Sequence, residues 1–150
     1  MVQCTDVVGD DGLCFGQRTA EGHLQAQVSH PKDLPLPEDV DWRSIDRGLM
    51  YKIMIFPSRI RSENRSISFA AEISYPPDFE EYFEERQYRY ACLGLDAAAL
   101  TQELRTTYGI PPREQGSWDP VAYLADEKAK IETLRADRYK SSPSLPPPLK

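Results

Sequence analysis

Proline placement constrains this chain more than any other feature of its sequence. Each proline removes a backbone donor, fixes its own φ and turns its predecessor away from helical geometry, so clustered prolines end whatever element precedes them. Pro31, Pro35 and Pro37 fall within residues 31–41, Pro76–Pro77 and Pro111–Pro112 are adjacent pairs, and Pro143, Pro146, Pro147 and Pro148 crowd the end. The pieces between them suit a single domain with one core, given 150 residues. We read residues 1–139 as that domain, 31–41 as an extended connector within it, and 140–150 as a proline-rich tail favouring polyproline II.

The middle of the chain carries the strongest apolar patterning. Leu49 to Phe56 is apolar on both faces, as a central strand would be. Ser66 to Tyr75 alternates, with Ile67, Phe69, Ala71, Ile73 and Tyr75 on one side and Ser66, Ser68, Ala70, Glu72 and Ser74 on the other. Pro57 to Arg65 then becomes a long hairpin loop. Gln87 to Leu95 reads as a third strand, although a single helix from Asp78 to Leu93, stopped by Gly94, fits the same residues. Near the N-terminus, Gly9-Asp10-Asp11-Gly12 and Glu21-Gly22 are turn sequences that predict short hairpins, with strands at Leu13 to Thr19 and His23 to His30.

Two helices are predicted after the strands. Asp96 is a suitable N-cap for a helix near 97–108, ended by Gly109 and Pro111–Pro112. Asp119 and Pro120 open a second helix near 120–138, with Val121, Leu124, Ile131 and Leu134 on one stripe. The expected fold is therefore α+β: an antiparallel sheet at 49–56, 66–75 and 87–95, extended by N-terminal hairpins and covered by two C-terminal helices. Ile53, Ile55, Phe69, Ile73, Leu104 and Leu124 would share its core.

Charge narrows the function. Eighteen basic against twenty-four acidic residues leave a formal net charge of −6, which disfavours binding to nucleic-acid phosphates. No apolar run is long enough to span a bilayer, and Met1 to Asp6 lacks the basic and apolar regions of a signal peptide, so a cytoplasmic protein is expected. Three cysteines at irregular spacing make a poor disulfide framework.

Four groups of residues could carry chemistry or contact. Cys4, Cys14, His23 and His30 are the side-chain types zinc prefers, but their gaps of nine, eight and six residues match no finger pattern, so no cofactor is expected and a zinc-stabilised binding module is an alternative. Cys92 sits in an apolar run without a Cys-His signature. Arg59, Arg61 and Arg65 could bind an anion bidentately, and with a carboxylate from 78–85 they would suit a small enzyme or enzyme subunit. Phe79, Tyr82 and Phe83, interleaved with five acids, suit docking to a basic partner, and Leu145 and Leu149 punctuate a tail that a groove could read. No catalytic constellation is complete. The expectation is a non-enzymatic accessory or interaction subunit of a larger protein assembly, contacting other subunits through 31–41, 76–86 and 140–150.

Overall fold

The computed structural model describes residues 1–31, 33–112 and 116–141. They form α1 (Val2–Val8), α2 (Arg47–Ile73), α3 (Glu80–Tyr108) and α4 (Pro120–Ser141), with a 3-10 turn at Trp42–Ser44. Among the described residues there is no strand, only an isolated antiparallel bridge between Cys14 and Gln17. The α+β expectation is thus corrected to an all-helical fold. Neither the sheet at 49–56, 66–75 and 87–95 nor the N-terminal hairpins exist in the described residues.

The reason is visible in α2. Asp46 caps it, its carboxylate accepting from the backbone N–H of Gly48 at 2.9 Å and of Leu49 at 3.1 Å. From there to Ser74 no glycine-rich turn interrupts the chain, and the helix continues past Pro57. Pro57 is buried, and it leaves the Ile53 carbonyl without its usual helical donor, a local cost that burial along the rest of the helix offsets. The buried positions Leu49, Pro57, Ile60, Ile67 and Ala70 recur at helical spacing. Alternation from Ile67 to Tyr75 did not describe a buried face: Ile67 is 1% exposed, but Phe69 is 63% and Ile73 48% exposed.

α3 is the axis of the molecule, packing against α1, α2 and α4. Ion pairs set its neighbours antiparallel to it: Lys52 to Glu103 (2.7 Å) and Arg89 to Glu63 (2.8 Å) for α2, Arg135 to Glu84 (2.8 Å) for α4. The helix does not stop at Gly94. A Cβ there would lie 2.5 Å from Leu124 Cδ1 and 3.1 Å from Cys4 Cβ, so the missing side chain is what lets α1, α3 and α4 meet. It stops at Gly109, whose left-handed conformation caps the last turn and donates to the Arg105 carbonyl. The core joins Val7, Ile60, Ile67, Tyr90, Leu93 and Leu124 from all four helices.

Segment 9–31 has almost no regular structure and is pinned by one buried ion pair. Arg86, with no solvent exposure, lies 3.0 Å from Asp10 and also donates to the Val28 carbonyl. Asp10 accepts from the backbone N–H of Gly12 (3.0 Å), Gln27 (2.8 Å) and Val28 (2.8 Å), drawing both ends of the segment to one carboxylate. Burial pushes the Asp10 carboxyl up, but these N–H groups and the Arg86 guanidinium outweigh it and hold the group below its ordinary value. The start of the 31–41 connector is tied to the bundle where the Pro31 carbonyl accepts from Asn64 Nδ2 at 2.8 Å.

Candidate contact surface

The four N-terminal residues that could ligate zinc are not brought together as a metal-binding group. Cys4 lies on α1 against Gly94, and Cys14 is exposed. His23 meets the Phe79 ring edge-on at 5.9 Å, and His30 meets Tyr90 at 5.9 Å. Among the described residues no three His, Cys, Asp or Glu side chains are grouped so as to hold a metal ion. Burial pushes the Cys4 and Cys92 thiols up, which leaves them protonated and poor nucleophiles at neutral pH. Burial also raises the Tyr90 hydroxyl, to about 12.

Arg59, Arg61 and Arg65 lie on a helix, not a hairpin loop, and helical spacing turns them apart. Arg59 pairs with Asp96 of α3, and Arg61 with Asp33 at 3.1 Å. Arg65 is exposed and makes no ion pair among the described residues. Two of the three guanidinium groups are therefore already neutralised within the molecule.

The acidic-aromatic segment opens α3. Phe83 is 7% exposed and packs edge-on to Tyr82 at 5.2 Å, while Tyr82 borders the core and Phe79 holds His23. Asp78 pairs with Arg18 at 2.5 Å, and Glu84 and Glu85 both pair with Arg135. For Glu85, burial raises the carboxyl but Arg89 and Arg135 outweigh it and hold it below its ordinary value. Leu145 and Leu149 lie outside the described residues.

Exposed large apolar side chains occur at several places among the described residues, and one set of them lines α2. Tyr51 is 64% exposed and Ile55 38%, and with Phe69 and Ile73 they lie on the side opposite Leu49, Ile60 and Ile67. Beside Phe69 and Ile73 an open groove of about 500 Å³ runs between α2, α3 and Arg135 of α4. Ala70 forms part of its floor, with Arg65 and Glu81 at its edges. Sequence reading placed Ile55, Phe69 and Ile73 in a core. The signal that separates them was present: counted at 3.6 residues per turn, Leu49, Ile60 and Ile67 fall on one side of the helix, and Tyr51, Ile55, Phe69 and Ile73 on the other.

Among the described residues no helix is long and apolar enough to cross a membrane. No protein-family model matches the sequence, and neither a curated protein nor a solved structure is detectably similar to it.

Proposed function

We propose that this chain is a non-enzymatic interaction subunit of a larger protein assembly, and that the outer face of α2 is its main contact surface. One observation carries the reading: large apolar side chains stand at helical spacing on the outer face of α2 and are substantially exposed, Tyr51 64%, Phe69 63% and Ile73 48%. A monomer ordinarily presents charged residues on such a face and places its apolar stripe inward. Most members of the two charged clusters that could bind an anion or do acid/base chemistry are paired within the molecule, Arg59 with Asp96, Arg61 with Asp33, and Glu84 and Glu85 with Arg135. The proline-rich segment 142–150 would add a second contact through Leu145 and Leu149. Free thiols at Cys4, Cys14 and Cys92 fit a reducing compartment, and we place the protein in the cytoplasm.

Native mass analysis of the protein purified from its source tests this. A mass exceeding one chain is expected, reduced to one chain by Phe69→Ala together with Ile73→Ala at unchanged melting temperature. A solitary chain at its natural concentration would contradict it.

A further inference from the structure

The outer face of α2 is a palindrome. Tyr51, Ile55, Ser58, Ser62, Ser66, Phe69 and Ile73 are separated by 4, 3, 4, 4, 3 and 4 residues, a spacing that reads the same from either end. At about 100° per residue these seven positions fall within an arc of about 80°, opposite the buried Leu49, Ile60 and Ile67. Their chemistry is mirrored too: an aromatic and an isoleucine at each end, three serines at the centre.

We propose that this face packs antiparallel against the same face of a second copy of the chain, across a two-fold axis at Ser62. Interfaces around a two-fold axis are isologous, so residue i of one copy meets residue j of the other and j meets i. Placing the axis at Ser62 sets Tyr51 against Ile73, Ile55 against Phe69, Ser58 against Ser66, and Ser62 against itself. Every large apolar group then finds an apolar partner. A parallel pairing would set each residue against its own copy and would give no reason for the mirrored spacing.

Three further features fit this geometry. None of the seven positions is charged, although α2 carries Arg47, Lys52, Arg59, Arg61, Glu63, Arg65 and Glu72 elsewhere on its surface. A face meant only for water would draw on the same supply of charge. Serine is a weaker helix former than alanine or leucine, so three serines at the centre are not explained by propensity, whereas small side chains let two helix axes approach closely. The mean spacing of about 3.7 residues is that of an 11-residue repeat, which winds two such helices into a gentle right-handed supercoil and so keeps them in contact over about 33 Å. The open groove beside Phe69 and Ile73 gives the second copy's tyrosine a recess to enter.

A strip of this length buries an area at the low end of specific interfaces, on the order of 1,200 Å² in total, so the dimer forms reversibly with concentration. The inference rests on the reading of α2 as a contact surface and names its occupant.

Sedimentation equilibrium of the purified full chain, alone, tests it. A monomer–dimer equilibrium is expected, weakened about tenfold or more by Ser62→Glu, which sets two like charges together at the axis on an exposed position that the fold tolerates. In a Cys14→Ser background, Ser62→Cys should form a disulfide between copies with oxidised glutathione, while Asp126→Cys on α4 should not. A chain that stays monomeric up to about 1 mM, or a dimer indifferent to Ser62→Glu, overturns the proposal. If the chain is monomeric but a native complex with a different protein is broken by Phe69→Ala, the dimer falls and the interaction reading stands. If neither association exists, both fall.

Discussion

Arg86 brings a full positive charge into a site with no solvent exposure, and Asp10 meets it there at 3.0 Å while accepting three backbone hydrogen bonds. Desolvating two charges is costly, and removing one partner leaves the other charged and buried. Asp10→Ala should therefore destabilise the fold by about 3–5 kcal/mol in urea denaturation. Arg86→Met should cost less, because Asp10 keeps its three N–H donors. The Asp10 carboxyl is held below its ordinary value in the folded state, so its contribution is fully present above the unfolded value of about 3.9 and is lost as pH falls through the lower, folded value. Asp10→Asn should accordingly flatten the acid limb of the stability–pH curve. An unchanged acid limb would show that Asp10 is not held by this network. Nothing in the sequence marks either residue: Asp10 sits in a turn-like Gly-Asp-Asp-Gly run and Arg86 in a charged stretch, and only the wrapping of segment 9–31 over α3 brings them together.

Among the elements, α4 and the end of α3 were legible because their caps are local: Asp119 accepts from the backbone N–H of Val121 at 2.9 Å, and Gly109 takes the left-handed turn. The middle of the chain misled because a short apolar run has no period of its own. Leu49 to Phe56 serves a helix with two apolar sides as well as it would a buried strand. Gly94 misled in another way, since a glycine late in a helical pattern reads as a stop, whereas here it admits Leu124 and Cys4 against the α3 backbone. Gly94→Ala tests that directly. On an open helix the change would stabilise by about 0.5–1 kcal/mol, but here the added methyl should cost about 1–3 kcal/mol through overpacking. A gain in melting temperature would mean the three helices do not meet at Gly94.

At the scale of the whole molecule, α3 organises the interior and α2 faces two ways. Its inner side supplies Ile60 and Ile67 to the common core, and its outer side holds Phe69 and Ile73 in solvent. The candidate contact surface was misread for the same reason as the fold, a period of two taken where the chain follows 3.6. A period of two puts Ile67 and Phe69 on one face, a period of 3.6 puts them on opposite faces, and one register error moves a contact surface into a core. Comparing Ile67→Ala with Phe69→Ala by equilibrium denaturation, at a concentration low enough for the chain to be monomeric, is the most direct test of this account. The account predicts a loss of about 2–5 kcal/mol for Ile67→Ala and less than about 1 kcal/mol for Phe69→Ala. Equal, large losses at both positions would return Phe69 to the core and contradict it.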